Sequence, residues 1–496
     1  MNRTDGYVQE IDYTHGYCIE LSPARLELAC VARGLPVLPR GRPIRYLELA
    51  FGQGVSLNVH AAAAPGEYWG FDFNPNHVAN ATALASASGA DARLTCDSFE
   101  SFAARDASPQ FDVIAMHGTW SWISAENRHL AVEILGKHLA PGGICLVSYN
   151  CLPGWADELP LRHLMALHVQ KAPASQPLEA KIDASLEFAQ SLADAGAKYF
   201  TSHPGLQAWL KDLGRRSRNY LAHEYFNRDW HPMPSSEVAG ALAGAGLVFG
   251  ASATLAGTAD GIGLDVKARG VVTAIRDPVM RETVLDSFSN ARFRCDLFVH
   301  SGTEPDSRTL HERIADIPFV LLHHPDHVPA SFRLGGNEIA LPRETCHPLA
   351  EALADNGYSP KTLRDVGAVL GCAGISPLLL AEAAMVMTEA GYVHPAQPPD
   401  SVRKAAPRCN ALNTEILRRA GSPDEIAALA SPVTGAGVFA ARKEMLFLRA
   451  RARGAADTDE WARHAWDSGG DPASLRAEAG LFARLRLPVF TALGIA

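Results

Sequence analysis

Glu48-Leu49-Ala50-Phe51-Gly52-Gln53-Gly54 follows the strand-like run Ile44-Arg45-Tyr46-Leu47 and leads straight into Val55-Ser56-Leu57-Asn58-Val59. A strand passing through a glycine turn into a helix gathers free backbone amides and the positive end of a helix dipole, a site for a carboxylate or phosphate. Gly52 and Gly54 allow a ligand to approach the backbone closely. Such a loop alone is shared by nucleotide-binding Rossmann proteins and by folds that merely need a tight turn. A dinucleotide site would place a third glycine near position 57, where this chain has Leu57-Asn58. Glu48 would repel a pyrophosphate but could order a loop that meets a zwitterionic amino acid.

Apolar and helical segments alternate on either side of this loop. A helix is expected over 22–34, opened by Ser22-Pro23. Strands are expected at 44–50, 67–72, 92–95, 111–116 and 143–149, with helices at 55–63, 75–88 and 126–139 between them. Strands joined through single helices pair in parallel with right-handed crossovers, which gives an α/β, doubly wound sheet.

The second strand ends in Tyr68-Trp69-Gly70-Phe71-Asp72-Phe73. Asp72 stands 18 residues beyond Gly54, at the sheet edge where a carboxylate can accept both ribose hydroxyls. Its competing reading is a cap for a helix beginning at Pro75. The third strand delivers Thr95-Cys96-Asp97-Ser98-Phe99 to the same edge, with Asp97 placed to accept from an exocyclic amine and Phe99 to pack on a purine. An ordinary turn is the alternative for Asp97.

These segments resemble class I S-adenosylmethionine-dependent methyltransferases, through Glu48 to Gly54, Asp72, Asp97 and the turn Leu139-Ala140-Pro141-Gly142-Gly143. The chain departs from many members at Ala50-Phe51, where they carry Gly-Cys. The resemblance implies a seven-stranded Rossmann-like domain, S-adenosyl-L-methionine as cofactor and S-adenosyl-L-homocysteine as product. Its expected cofactor contacts are Glu48, Gly52, Gly54, Asp72, Phe73, Asp97, Ser98, Phe99 and His117, with Tyr17 and Tyr13 of the N-terminal arm as a lid.

A narrower resemblance rests on Asp12 to Tyr17, His117 to Trp122, Ser148 to Trp155 and Leu221 to Tyr225. These look like bacterial methyltransferases with a methyltransferase regulatory domain, a group that includes the rickettsial protein lysine methyltransferases. That likeness implies a helical insertion that dimerises the catalytic domain, hence a homodimer, and middle and C-terminal domains that help receive a protein substrate.

A chain of 496 residues exceeds one hydrophobic core. The expected division is a first part of the methyltransferase domain at 1–156, a helical insertion at 157–232, the end of the sheet at 233–270, a winged-helix-like α+β module at 271–400 and a helical region at 401–496. Within these, Ser235 to Gly246 reads as a helix and Leu247 to Leu255 as a strand completing the sheet, which ends near Lys267. The last region is broken at Thr434-Gly435-Ala436-Gly437.

A net charge of −9 argues against broad affinity for nucleic acid, and no uninterrupted apolar run is long enough to span a bilayer. Nine scattered cysteines, with no Cys-x-x-Cys pair, fit neither a disulfide framework nor a zinc site. His323-His324-Pro325-Asp326-His327 is read as surface polar sequence, and no metal is assigned. The polar start Met1 to Gly6 lacks the features of a signal peptide, so the cytoplasm is the expected location.

Methyl transfer from a sulfonium needs mainly positioning, with a base only to free the acceptor's lone pair. His117 at the end of the fourth strand is the leading candidate for acceptor contact or proton removal, against a role holding the loop. Tyr149 and Trp120, with Trp122 and Trp155, could wall an acceptor amine through cation–π contact, against simple core packing. His223-Glu224-Tyr225 and Asp229-Trp230-His231 are placed where the insertion meets the core. The acceptor is expected to be a protein side chain, with a small molecule of a glycan or natural-product pathway, or a non-catalytic cofactor-binding regulator, as the alternatives.

Overall fold

The apolar runs around the glycine loop become β1 (Ile44–Leu49), β2 (Gly66–Asp72), β3 (Ala92–Cys96), β4 (Phe111–Met116) and β5 (Leu139–Asn150). The computed structural model describes residues 14–39, 42–105, 109–255, 264–302, 306–334, 337–466 and 471–496. β4 is buried throughout and β1 nearly so, as strands covered by helices on both faces must be. The helices are α1 (Pro23–Ala32), α2 (Val55–Ala63), α3 (Pro75–Ser88), α4 (Phe99–Ala103) and α5 (Ala125–His138).

The five strands pair in parallel. After reaching the edge at β3 the chain returns to place β4 on the other side of β1. This reversal opens a crevice at the carboxyl ends of β1 and β4, the place where open α/β sheets bind ligands.

The insertion comprises α6 (Leu159–Lys171), α7 (Leu178–Asp194), α8 (Lys198–Ser202), α9 (Gly205–Arg215) and α10 (Arg218–Tyr225). It has its own core of Leu161, Met165, Ile182, Phe200, Leu210 and Leu221. α11 (Ser235–Leu242) then leads to β6 (Leu247–Ser252). After α12 (Val266–Thr273) and α13 (Pro278–Ser289) comes β7 (Phe293–His300). The full order is β3-β2-β1-β4-β5-β7-β6, with β7 antiparallel to both neighbours. The sheet therefore runs past the end expected near Lys267, since β7 is needed to join β6 to β5.

β7 is hidden in the sequence by charge, because Arg294 and Asp296 sit in its first half, Asp296 buried and the Arg294 side chain largely covered. Arg294 donates to Asp296 at 2.7 Å, to Asp286 at 2.6 Å and to Glu282 at 2.8 Å. Tyr149 Oη donates to Asp296 at 2.7 Å, and Ser235 Oγ to Asp286 at 2.7 Å. One guanidinium thus pairs with three carboxylates from β7 and α13, and hydroxyls from β5 and α11 donate to Asp296 and Asp286.

Beyond the sheet lie α14 (Leu310–Ile314), β8 (Pro318–Leu321), the hairpin of β9 (Ser331–Leu334) and β10 (Asn337–Ala340), α15 (Arg343–Tyr358), β11 (Lys361–Thr362), α16 (Leu363–Leu370), α17 (Pro377–Glu389) and β12 (Val393–Pro395). β8 pairs antiparallel with β11 and β12. Gly335 and Gly336, between β9 and β10, lie outside the described residues.

The last region opens with α18 (Pro399–Arg419), which packs on α2 and α3. The expected glycine break is instead the turn of an antiparallel pair, β13 (Ala428–Ser431) with β14 (Ala436–Phe439). Helices follow from Arg442 to Ala492. Leu412, Ile416, Leu429 and Phe447 share one apolar cluster with Val55 and Val59 of α2, so the C-terminal core is continuous with the back of the glycine-loop helix. Among the described residues no helix is long and apolar enough to cross a membrane.

Arg294→Met is expected to cost roughly 3–5 kcal/mol, because it strands buried carboxylates without their cation. A urea unfolding midpoint close to that of the wild type would contradict this account.

Candidate active site

The crevice at the ends of β1 to β4 is a cavity of about 330 Å³, inside the range of roughly 300–1,000 Å³ typical of ligand clefts. Its floor is the glycine loop, which begins with Ala50 at φ 55° and continues through Gly52 at 59° and Gly54 at 67°. Ala50 holds this left-handed conformation at a cost of about 1 kcal/mol relative to glycine. Gly54 is required by packing, since a Cβ there would lie 2.5 Å from the Ala81 Cβ of α3. Val55 and Ser56 line the cavity at the first turn of α2, whose N-cap supplies no side-chain hydrogen bond. Their amides are left for a ligand.

Asp72 ties this loop to the rest of the sheet edge. Oδ2 accepts the Gly52 N–H at 2.9 Å, Oδ1 accepts the Asn74 N–H at 2.9 Å, and His77 Nδ1 lies 3.2 Å from Oδ1. Asn74, not Asp72, caps α3. A carboxylate has roughly four acceptor positions, so these partners leave one, on Oδ2, and room for one direct ribose hydroxyl in place of the two expected.

At the next strand end the Asp97 N–H donates to the Asp72 carbonyl at 3.1 Å. The Asp97 carboxylate takes the Ser101 hydroxyl and the Arg105 guanidinium. Ser98 caps α4 through a capping box with Ser101. Phe99 lines the cavity and meets Phe71 edge-on, with ring centroids 5.4 Å apart.

Glu48 is buried beside Asp72, and its contact with the Tyr46 hydroxyl is a long 3.4 Å. Burial, reinforced by the Asp72 charge, pushes its carboxyl up to about 8. Burial also holds the His117 ring below its ordinary value, hence neutral at pH 7. Its centroid lies 5.9 Å from that of Phe293.

Glu48, Gly52, Gly54, Asp72, Phe73, Asp97, Ser98, Phe99 and His117 all line this one cavity. Three expected site residues do not. Tyr149 spends its hydroxyl on Asp296. Trp120 is fully buried with its indole N–H toward the Met233 sulfur, 3.3 Å away. Tyr17 is buried away from the cavity, its hydroxyl accepting the Gly437 N–H at 2.8 Å. Tyr13 falls outside the described residues.

Trp122 does line the cavity, whereas Trp155 donates to the Arg292 carbonyl and stacks under its guanidinium at 3.8 Å. His223 and Glu224 of α10 reach the cavity, but Tyr225 and Asp229 to His231 do not. Residues missed from the sequence are Cys18, His77, Asn127, Asn150 and Phe293. Asn150 was legible as the end of β5, and His77 as one turn into α3; Phe293 was hidden with β7. Among the described residues no His, Cys, Asp and Glu group is arranged to hold a metal. His324, from the histidine-rich stretch, serves as the cap of a short turn by accepting the Asp326 N–H.

Residues 47–143 match the family described as methyltransferase domain, and residues 217–300 match the one described as predicted methyltransferase regulatory domain. An uncharacterized protein of Synechocystis sp., sll1526, is 35% identical over 456 residues, 91% of this chain and 89% of that protein. The chain belongs to the methyltransferases that carry a methyltransferase regulatory domain. Among solved structures, PKMT2 from Rickettsia typhi in complex with AdoHcy shares the fold with a TM-score of 0.71 at 18% identity, over 97% of this chain and 99% of that one. RP789 of Rickettsia prowazekii is 24% identical over 261 residues, 52% of this chain and 46% of that protein.

The donor set of the cavity fits S-adenosylmethionine. The open amides of α2 suit its carboxylate, Glu48 its cationic end and Phe99 its purine, while Asp72 keeps one acceptor position for its ribose.

Asp72→Ala in this methyltransferase is expected to abolish cofactor binding, because it removes the ribose acceptor and releases the Gly52 amide; unchanged affinity by calorimetry would refute both roles. Since Glu48 ionises only near pH 8, affinity for the cationic cofactor should rise from about pH 6 to about pH 9. The rise should vanish in Glu48→Gln, and a rise that survives the substitution would assign it to another group.

Proposed function

We propose that this methyltransferase methylates a lysine-like amine on a protein. The observation that supports the reading is the set of carboxylates around the cavity: Asp72 and Glu224 line it, with Glu48, which ionises near pH 8, and Asp97, which is paired with Arg105, and among the described residues no lysine or arginine lines it. An anionic acceptor such as a phosphate or carboxylate would meet repulsion there. An ammonium group would be attracted, and Trp122 and Phe293 add aromatic surface suited to a cation.

S-adenosylmethionine supplies a methyl group on a sulfonium whose departure leaves a neutral thioether. The acceptor nitrogen must first lose a proton, since an ammonium has no lone pair. His117, neutral and at the end of β4, is the group in this reading that takes it. The N–C bond then forms as the S–C bond breaks. Glu224, brought in by the insertion, holds the incoming ammonium and orients the amine.

The regulatory domain and the winged-helix-like module expected at 271–400 receive the protein acceptor in this reading. The insertion acts as a homodimer contact, with Leu167 and Tyr220 left exposed on α6 and α10. The setting is the cytoplasm.

Incubation with methyl-labelled S-adenosylmethionine and a host lysate tests the proposal. Label in a protein, recovered as methyl-lysine after hydrolysis, is expected; label confined to small molecules, or cofactor binding with no transfer, would sink it. His117→Ala should lower kcat by roughly 100-fold or more with cofactor binding retained. Glu224→Gln should raise the acceptor KM and leave cofactor affinity unchanged.

A further inference from the structure

The arm that forms one wall of the cofactor cavity is anchored from behind by the C-terminal region. Gly16 and Cys18 line the cavity, and the Cys18 N–H donates to Ser56 Oγ at the first turn of α2, 2.8 Å away. Tyr17 between them points the other way. Its hydroxyl accepts the Gly437 N–H of β14 at 2.8 Å and lies 3.0 Å from His60 Nε2 of α2. Its ring meets Phe439 edge-on at 5.7 Å. A Cβ on residue 437 would come within 2.7 Å of the Tyr17 ring, so the fit requires glycine there.

A second connection reaches the floor of the same cavity. Asn80 Nδ2 of α3 donates to the Gln53 carbonyl of the glycine loop at 2.8 Å. Arg419, at the end of α18, is 6% exposed and donates to Asn80 Oδ1 at 2.8 Å. Glu415 holds that guanidinium at 2.8 Å. Wall and floor are thus each hydrogen-bonded, one residue removed from the cavity, to the region that follows Pro399.

We propose that the C-terminal region sets the cofactor affinity of this methyltransferase through these two links, with Tyr17, Asn80 and Arg419 as positioning residues. The coupling is reciprocal: filling the cavity stiffens β14, and a protein that shifts the C-terminal region changes cofactor binding. The proposal rests on the cavity being the cofactor site, so wild-type protein that fails to bind S-adenosylhomocysteine would overturn both.

The test is calorimetric titration of the full chain with S-adenosylhomocysteine, paired with hydrogen exchange of residues 436–439. Tyr17→Phe keeps the ring and loses the hydroxyl; Asn80→Ala cuts the second link. Each is expected to weaken binding by about tenfold. In the wild type the ligand should slow exchange of the Gly437 amide, and in Tyr17→Phe it should not. Ser431→Ala breaks a hydrogen bond from the same hairpin to the Leu493 carbonyl, and should lower the thermal midpoint while leaving Kd unchanged. Wild-type affinity in both Tyr17→Phe and Asn80→Ala, or an equal loss in Ser431→Ala, would overturn the proposal.

Discussion

The carboxylate of Asp72 is the point on which the methyltransferase site depends. It stands at the end of β2, yet two of its three partners belong to the turn after that strand and to α3, and the third is the amide of Gly52 in the loop after β1. Two strand ends and a helix start are therefore referred to a single buried charge. The loop it orders contains a non-glycine residue in left-handed conformation, Ala50. Strain of that kind persists only where the surroundings over-determine the backbone. Here the tie to Asp72 and the contact of Gly54 with Ala81 supply that determination.

The distribution of charge around that point accounts for the choice of ligand. Two carboxylates, Glu48 and Asp72, share the donor end of the cavity, and burial, reinforced by the Asp72 charge, keeps the proton on Glu48 until about pH 8. A cation arriving there is attracted by Asp72 at once and by Glu48 as it ionises, so its binding strengthens as the pH rises toward 8. Elsewhere the protein treats buried carboxylates differently. Under β7, Asp296, Asp286 and Glu282 are met by Arg294, which makes that cluster a structural joint; the cavity, with no lysine or arginine lining it among the described residues, waits for a positive ligand.

What the sequence made legible follows from how local each signal is. β1 to β5 and their helices are announced by apolar runs and caps within a few residues, and the loop and strand-end residues Glu48, Asp72, Asp97 and His117 come with them. β7 is not, because Arg294 and Asp296 look like solvent-facing charge until residues from three other elements surround them. Tyr149 and Trp120 stand at the right strand end and turn, but a strand alternates its faces, and their polar atoms are taken by Asp296 and Met233. Tyr17 was expected in an arm over the cofactor, and of that arm Gly16 and Cys18 line the cavity while Tyr17 does not. Its direction depends on Gly437, 420 residues away, and no local pattern carries that.

A crystal structure of the methyltransferase with S-adenosylhomocysteine bound would test the account most directly. The account predicts the ribose on Asp72 Oδ2, the amino-acid end against Glu48 and the first turn of α2, and the sulfur facing the space bounded by His117, Phe293 and Glu224. A ligand whose ribose lies away from Asp72, or whose sulfur faces the arm and not that space, would contradict it.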